Sequence, residues 1–285
     1  MPFATVREIY EKSREGNYAV GGFCAEHLYM VKAIVEAAEE TRSPIIVFLW
    51  EKDIEAAGLG QLENMVLFEA KKATVPVSIM LDHGTSVKFC LKCIQHGHSG
   101  IMIDASHHPL EENIAITKQV VEVAKESGVF VEGEIGTISR TFEDTGAFSE
   151  PPKYTDPHEA LQFAEGSGVD AMAISIGSAS GLYHEKPRLD IQRLRQIRDL
   201  TEVYLILHGG SGLPADQIQH AIQEGISGIR FATEMRLAFF DAMDTKRKGL
   251  GCDHPDSRLI LRSGADAAKA KIIRRMEQMG CAGKA

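Results

Sequence analysis

Eight short apolar runs recur along the chain, each separated from the next by a stretch with helical character. The runs predicted as strands are 19–23, 44–49, 77–81, 100–104, 129–134, 171–176, 203–207 and 228–231. The stretches between them predicted as helices are 28–40, 62–73, 86–96, 110–127, 157–166, 189–199 and 214–224. Continuously apolar strands that alternate with helices indicate a parallel sheet buried on both faces. Eight such units predict an α/β fold, the (β/α)8 TIM barrel.

A doubly wound open sheet is the rival architecture, and it usually carries a glycine-rich GxGxxG turn after its first strand. That position reads GGFCAEH here, without the required glycine spacing. No internal repeat, low-complexity linker or charge block marks a second domain. We therefore predict one barrel domain over 1–285, with a C-terminal helical extension from about 245. The extension includes a predicted helix at 259–280 and is expected to pack on the barrel or on a partner subunit.

Composition excludes several classes of function. The net charge of −9 argues against a nucleic-acid partner, because a phosphate backbone requires a basic face. No run approaches the roughly 18 apolar residues that a membrane helix needs, and the amphipathic amino terminus lacks the apolar core of a signal peptide. Five sparse cysteines indicate reduced thiols in a cytoplasmic protein. Cys90 and Cys93 form a lone CxxC, interpreted as two thiols on one helix face.

Ionisable and hydroxyl side chains follow six successive predicted strands, where the reacting groups of a barrel lie. From the third strand to the eighth they are Asp82 and His83; Asp104, Ser106 and His107; Glu132 and Glu134; Ser178, Ser180, Tyr183 and His184; His208; and Arg230 and Thr233. Glu132 and Glu134 are two residues apart and so share one face of their strand. Core packing alone does not explain this distribution.

Two histidines, His83 and His208, are expected at one rim together with carboxylates, which suggests a divalent metal and favours zinc. The HGGSG loop at 208–212 can turn backbone N–H groups toward an anion, and a following helix adds its positive end. Ser211 and Thr233 strengthen this interpretation because barrel phosphate sites favour the last two strands. Three other histidines lie on or beside helices and are expected at the surface: His96, His98 and His220.

Six motifs together resemble the class II, metal-dependent ketose-bisphosphate aldolases, and they occur in family order from about residue 5 to 240. They are LDHGT (81–85), MIDASH (102–107), VEGEIG (131–136), IGSASGLY (176–183), LHGGSG (207–212) and GIRFATEM (228–235). The resemblance implies a zinc barrel that cleaves a ketose phosphate reversibly to dihydroxyacetone phosphate and an aldehyde. A metal would act there as a Lewis acid on the enediolate.

The resemblance also implies roles for individual residues. Asp82 matches the carboxylate that moves a proton at the C4 hydroxyl, and His83 and His208 match metal ligands. Glu134 matches a further metal-associated carboxylate, and Asp104 a position near an alternative metal site. The matched phosphate-binding positions are Gly181, Gly209, Ser211 and Thr233, and Gly210 belongs to the same loop.

The chain departs from the family pattern at several contacts to metal and substrate. Ser180 stands where a third zinc-binding histidine is usual, so water, Glu134 or His184 would have to make up the loss, and Glu134 is favoured. Arg230 replaces an asparagine, and it either binds an anion bidentately or fills part of the pocket. Further departures are Cys24 and His27 for two asparagines, Ser139-Arg140 for a double glycine beside Glu143-Asp144, and Trp50 and Glu51 where a small hydroxyl is common.

These observations favour a metal-dependent aldolase whose substrate specificity differs from that for fructose bisphosphate. The alternative is a non-catalytic, sugar-phosphate-binding paralogue that has lost the zinc site. A small sugar phosphate is the expected partner, and the resemblance suggests a homodimer or homotetramer.

Overall fold

The computed structural model describes residues 3–140, 152–181, 183, 187–251 and 254–285, without the side chains of residues 139 and 140. Ten strands lie in these ranges: β1 (Val20–Cys24), β2 (Ile45–Trp50), β3 (Val77–Gly84), β4 (Gly100–Ile103), β5 (Phe130–Ile135), β6 (Ser139–Arg140), β7 (Ala171–Ile174), β8 (Ala179–Ser180), β9 (Tyr204–Leu207) and β10 (Ile226–Phe231). Eight of them close a parallel barrel in the order β1-β10-β9-β7-β5-β4-β3-β2. The remaining pair, β6 and β8, forms a short parallel ladder of its own. The predicted TIM barrel is confirmed.

Helices connect the barrel strands and surround them. Those in the described residues are α1 (Val6–Gly16), α2 (Leu28–Thr41), α3 (Glu51–Ala57), α4 (Gln61–Ala70), α5 (Val87–Gln95), α6 (Leu110–Glu126), α7 (Pro157–Ser167), α8 (Ile191–Leu200), α9 (Ala215–Gln223), α10 (Thr233–Gly249) and α11 (Ser257–Met279). Every helix predicted from periodicity is present within a few residues of its predicted ends. Three helices, α1, α3 and α10, were not predicted.

The amino-terminal helix α1 shows how local sequence and packing combine. Thr5 caps it by accepting a hydrogen bond from the Glu8 amide, and the Glu8 side chain returns the bond to the Thr5 amide. This capping box satisfies two amides that the helix itself leaves unpaired. The apolar stripe Val6, Ile9 and Tyr10 is buried, so the helix packs against the barrel.

The C-terminal helix α11 packs on the body of the barrel. Its stripe Ile272, Met276 and Met279 is almost fully buried in the main hydrophobic cluster. The Ala19 amide, next to β1, donates a hydrogen bond to the Met279 carbonyl at 3.2 Å. The predicted start of a terminal extension near 245 falls inside α10, and the division of the chain into domains stays a prediction. None of the described helices, α11 with its 23 residues included, is both long and apolar enough to cross a bilayer.

Charged side chains enter the apolar interior near the carboxyl ends of the strands. Glu132 and Glu134 on β5, His208 after β9 and Arg230 on β10 are all at most 5% exposed. Buried charges are expected to be paired, because leaving one unpaired in an apolar environment is costly. The strand ends therefore hold an organised polar cluster beneath the rim.

Candidate active site

The barrel closure brings the predicted site residues around one cavity of about 60 Å³ at the carboxyl ends of the strands. Its lining consists of Cys24, Asp82, His83, Ser180, Gly181, His208, Gly209, Ser211, Arg230, Phe231, Ala232 and Thr233. Of the residues predicted to act on the substrate or bind metal or phosphate, Glu134, Asp104 and Gly210 do not line it. Strands β3, β9 and β10 end here, and the short strand β8 passes beside them. Residues distant in sequence thus meet because parallel strands end at the same rim.

His83 is held in an unusual backbone conformation. Its φ is +46°, in the left-handed region that non-glycine residues seldom adopt, at a point where the pairing of β3 with β4 shifts register. Its Nδ1 lies 2.7 Å from Asp104 Oδ2 and 3.5 Å from Glu134 Oε2. Its Nε2 lies 4.0 Å from Asp82 Oδ1. The strained backbone and the carboxylate partner together fix the direction of the imidazole.

His208 is oriented by a second carboxylate. Its Nε2 lies 3.0 Å from Glu132 Oε1, and both side chains are almost completely buried. Burial raises the pKa of Glu132 to about 7, an effect that the Asp82 charge increases and Arg230 opposes. The His83 and His208 rings meet edge to face with their centroids 4.9 Å apart. Each of the two imidazoles therefore has a carboxylate behind it, the usual arrangement for metal-binding histidines.

Two groups of side chains place potential metal-ligand atoms within 4.8 Å of one another. One is Asp82, His83 and His208, and the other is His83, Asp104 and Glu134. Imidazole nitrogens with carboxylate oxygens form a donor set that suits zinc or another divalent ion. Within the described residues, Asp82 therefore shares a group with both histidines. Glu134 shares a group with His83 but not with His208. Ser180 lines the same cavity, and His184 lies outside the described residues.

Arg230 occupies the centre of the polar cluster. Its Nη1 bonds Asp82 Oδ1, and its Nη2 lies 2.5 Å from Glu132 Oε2. The guanidinium carbon sits 4.0 Å from the centroid of the Phe48 ring, and the residue is 5% exposed. Among the described residues, its Nε is a buried donor without a hydrogen-bond partner. The bulk of Arg230 therefore fills part of the pocket, and its charge faces two carboxylates of the protein.

Arg230 also joins the two halves of the site. It contacts Asp82, the predicted proton-transfer group, and it also contacts Glu132, the carboxylate that orients His208. The other Asp82 oxygen, Oδ2, lies 3.7 Å from Cys24 Sγ. Burial and the nearby Asp82 charge raise the pKa of the Cys24 thiol well above its ordinary value. Cys24 is therefore a neutral, weak hydrogen-bond donor to Asp82.

The glycine-rich turn after β9 requires its glycines. Gly209 has a φ of +69°, and a Cβ placed there would lie 2.2 Å from the Ala179 carbonyl oxygen. The Tyr183 hydroxyl bridges the two segments, because it donates to the Gly209 carbonyl at 2.6 Å and accepts from the Ala179 amide at 3.0 Å. The Gly210 amide donates to the Arg230 carbonyl at 2.9 Å. Tyr183 thus packs behind the loop and fixes it to β8.

The amino-terminal end of α10 meets the same turn. Thr233 is the first residue of α10, and the Glu234 amide donates to Ser211 Oγ at 3.3 Å. Gly181, with a φ of +106°, also lines the cavity. Backbone amides and a helix amino terminus form a suitable environment for an anion. The structure thus brings five of the predicted phosphate-binding positions close to the predicted metal ligands: Gly181, Gly209, Gly210, Ser211 and Thr233.

One histidine prediction is wrong. His98 was expected at the surface, but it is 2% exposed, in the turn between α5 and β4. The chain folds back after α5, and His98 Nδ1 lies 3.0 Å from the Cys93 carbonyl oxygen. Cys90 and Cys93 are both buried on α5, and the four cysteines in the described residues are unpaired.

Sequence reasoning missed two features of the site. It named Glu132 without giving it a partner, because a strand pattern shows which face a side chain takes but not what lies opposite. It also did not detect Arg275, which reaches the rim from α11. A signal was present, since Arg275 lies among the buried positions 272, 276 and 279 of that helix. A charged residue on an apolar helical stripe needs a buried partner.

Comparisons with known proteins find similarity over nearly the full length of the chain. A family model described as fructose-bisphosphate aldolase class-II matches residues 4–284. A fructose-bisphosphate aldolase of Geobacillus stearothermophilus is 41% identical over 290 residues, which cover 100% of this chain and 99% of the relative. A 6-phospho-5-dehydro-2-deoxy-D-gluconate aldolase of Bacillus licheniformis is 37% identical, over 100% of this chain and 97% of the relative. The crystal structure of the YdjI aldolase from Escherichia coli K12 superimposes with a TM-score of 0.85 at 30% identity, over 99% of both chains.

Proposed function

The chain belongs to the class II fructose-bisphosphate aldolase family and is an aldolase, a carbon–carbon lyase, and on that premise we propose a specific reaction for it. The reaction is the reversible, metal-dependent cleavage of a ketose phosphate to dihydroxyacetone phosphate and an aldehyde. The relatives are named for two different substrates, so membership of the family does not determine the substrate. The departures at the site support a substrate other than fructose bisphosphate.

One observation carries the proposal. Asp82, His83 and His208 place potential ligand atoms within 4.8 Å of one another, and all three line one cavity with Gly209, Ser211 and Thr233. The proposed metal ligands and the proposed anion-binding turn are therefore adjacent. Retro-aldol cleavage of a phosphorylated ketose needs this combination, because one end of the substrate must be anchored while negative charge develops near its carbonyl oxygen.

His83 and His208 would hold the divalent metal, with zinc as the favoured ion. Glu134 is the third ligand that the sequence favoured, and its Oε2 lies 3.5 Å from His83 Nδ1, the nitrogen that Asp104 also contacts. A bound divalent ion supplies Lewis acidity, which lowers the free energy of the negative oxygen that forms when the carbon–carbon bond breaks. The carboxylates Asp104 and Glu132 keep the two imidazoles in their ligand orientations. Asp82 belongs to the same group of donors in this structure and is an alternative third ligand.

Asp82 would take the proton from the C4 hydroxyl of the ketose in the cleavage direction. It lines the cavity and is 7% exposed, so a bound substrate can reach it. One of its oxygens is bonded by Arg230, which leaves Oδ2, on the Cys24 side, as the atom to receive the proton. A positioned carboxylate of this kind contributes about 10²- to 10⁴-fold to the rate of a proton-transfer step.

The phosphate would bind in the cradle of Gly181, Gly209, Gly210, Ser211 and Thr233. Support comes from the left-handed backbone at Gly181 and Gly209 and from the amino terminus of α10, whose positive end favours an anion. Arg230 was expected to contribute to substrate binding as well. Its two Nη groups face Asp82 and Glu132, and its buried Nε has no hydrogen-bond partner among the described residues, so we assign Nε to a substrate oxygen.

The non-catalytic alternative has less support, since the full-length relatives are named aldolases and the ligand group is retained. A small sugar phosphate as partner follows from the proposed reaction. We also propose that the enzyme works as a homodimer or homotetramer in the cytoplasm, as the sequence suggested.

The test compares the zinc-loaded wild type with Asp82→Asn on a panel of ketose phosphates, with dihydroxyacetone phosphate detected by coupled reduction. Asp82→Asn should lower kcat by at least about 10²-fold, because the base is lost. Removing the metal with a chelator should abolish turnover, and adding zinc should restore it. Turnover that survives both the chelator and the substitution would contradict the proposal. Asp266→Asn, which changes an exposed carboxylate on α11, is the matched control.

A further inference from the structure

We propose that Arg275 of the C-terminal helix is a positioning residue for the anion-binding turn, acting through Glu234. The inference rests on the proposed function, because it assigns a role at the same phosphate cradle. Neither Arg275 nor Glu234 lines the cavity. Their effect on a bound anion would therefore be indirect.

Arg275 forms a dense set of directed contacts for a residue on an outer helix. Its Nε lies 2.5 Å and its Nη2 2.7 Å from the two carboxylate oxygens of Glu234. Its Nη1 donates to the Leu213 carbonyl at 2.9 Å. The guanidinium carbon also lies 5.2 Å from the centroid of the Phe231 ring. One side chain thus connects α11 with the turn after β9 and with the end of β10.

Glu234 passes this connection on to the cradle. Its Oε2 accepts a hydrogen bond from the Gly212 amide at 3.3 Å, and its own amide donates to Ser211 Oγ at 3.3 Å. Glu234 directly follows Thr233 in the first turn of α10. The turn after β9 and the start of α10, two of the three segments that carry proposed phosphate-binding positions, are therefore tied to Glu234, whose carboxylate is held bidentately by Arg275.

Arg275 would also compensate the negative charge of Glu234, in addition to holding its position. A carboxylate in the first turn of α10 competes with an incoming phosphate for the same positive helix end. Arg275 and Glu234 have side chains that are 10% and 18% exposed, so solvent screens this negative charge poorly. The guanidinium neutralises it. Without Arg275, the cradle would lose its geometry and would also face an unpaired negative charge.

The chain offers a matched control on the same helix. Arg262 of α11 also binds a carboxylate bidentately, that of Glu36, with distances of 2.8 and 2.7 Å. This pair is exposed, and neither residue lines the described cavity. Arg262→Met therefore removes an arginine–glutamate pair from α11 without changing the cradle.

The experiment measures inorganic phosphate binding by calorimetry, and KM and kcat for the ketose phosphate, on zinc-loaded full-length protein. Arg275→Met should raise the phosphate Kd and KM by about tenfold or more, because a charged hydrogen-bonded pair is lost, while kcat changes much less. Arg275→Lys should have an intermediate effect, and it provides the measurement if the methionine variant does not fold. Arg262→Met should match the wild type.

A double variant separates the charge effect from a general structural role. Arg275→Met with Glu234→Gln removes the uncompensated charge and should recover part of the phosphate affinity lost in Arg275→Met. If the folded Arg275→Met or Arg275→Lys variant binds phosphate as tightly as the wild type, the proposed role of Arg275 is overturned and the proposed function stays intact. A wild type that binds no phosphate at all would overturn the cradle, and the role of Arg275 with it.

Discussion

Arg230 is the residue that most clearly separates this site from the pattern its motifs resemble. A guanidinium stands there in place of an asparagine, buried against Phe48 and bonded to Asp82 and Glu132. Its planar, forked donors can serve two carboxylates at once, which a lysine ammonium does less well. Asp82, the proposed proton-transfer group, and Glu132, the carboxylate behind His208, thus share one cation.

Arg230→Lys should lower kcat/KM by about 10- to 100-fold. A lysine keeps the charge but holds at most one of the two carboxylates in the observed geometry, and the loss of a charged hydrogen bond costs about 1.5–3 kcal/mol. Steady-state kinetics on the best ketose phosphate provides the measurement. Arg258→Lys, at an exposed pair with Asp256, is the control and should be neutral. Wild-type kinetics in Arg230→Lys would show that the guanidinium has no role in turnover.

The residues of the rim could be predicted from sequence, but their pairing could not. Asp82, His83, His208 and Arg230 follow predicted strands, and barrel geometry brings strand ends together. The same pattern does not show that Arg230 faces Asp82 and Glu132. Such pairs depend on side-chain directions across the barrel, between positions as far apart in sequence as 82 and 230.

The turn after β9 is the element on which the phosphate cradle depends. Its shape depends on Gly209, which is left-handed and lies close to the Ala179 carbonyl. Gly128, at the end of α6, has nearly the same backbone conformation with a φ of +67°, but a Cβ there would meet no atom within 4 Å. An alanine at Gly128 therefore meets only the cost of the left-handed backbone, whereas an alanine at Gly209 also meets the cost of the close contact.

Gly128→Ala should lower the free energy of unfolding by about 1–2 kcal/mol, the cost of a left-handed alanine. Gly209→Ala should lower it further, because the new Cβ overlaps Ala179, and it should also weaken phosphate binding. Chemical denaturation and phosphate calorimetry on both variants provide the measurements. Equal stability and equal phosphate affinity in the two variants would mean that the close packing of the turn is unimportant.

All eight barrel strands could be predicted from the sequence, but the helices α1, α3 and α10 were not. A strand buried on both faces is a continuous apolar run, which is easy to recognise. Helix α3 has seven residues and buries Ile54 as its one apolar side chain, so it has no visible periodicity. Helix α10 buries Met235 and Phe239, but its Leu237 and Phe240 are exposed, so its apolar residues are not confined to one face.

The stability of the whole molecule should depend on pH through His98. Burial lowers the pKa of His98 from 6.5 to about 4 in the folded protein, so the folded chain keeps this imidazole neutral. Between about pH 6.5 and pH 4 the unfolded chain binds a proton that the folded chain does not. The free energy of unfolding therefore falls as the pH falls through this range, by on the order of 3 kcal/mol in total.

His98→Asn retains a donor near the Cys93 carbonyl but cannot titrate, so it should remove most of this acid-induced loss of stability. Urea unfolding at about pH 7 and about pH 5 measures the difference for each protein. His158→Asn changes an exposed histidine and should leave the wild-type pH dependence unaltered. An unchanged pH dependence in His98→Asn would show that other groups cause it.

At the scale of the whole molecule, barrel closure is what makes the site. It places the candidate metal ligands beside the proposed phosphate cradle, and Arg275 of α11 bonds Glu234 next to that cradle. These two features together predict an enzyme that holds a phosphorylated three-carbon fragment while negative charge develops beside its carbonyl.

The most direct test of this claim does not require the aldehyde to be known. Zinc-loaded protein is incubated with dihydroxyacetone phosphate in D₂O, and proton NMR follows the hydrogens on the hydroxymethyl carbon that forms the new bond. We predict that one of these hydrogens exchanges with solvent, that a chelator stops the exchange and that zinc restores it. Zinc-loaded protein that binds phosphate but exchanges no hydrogen would contradict the account.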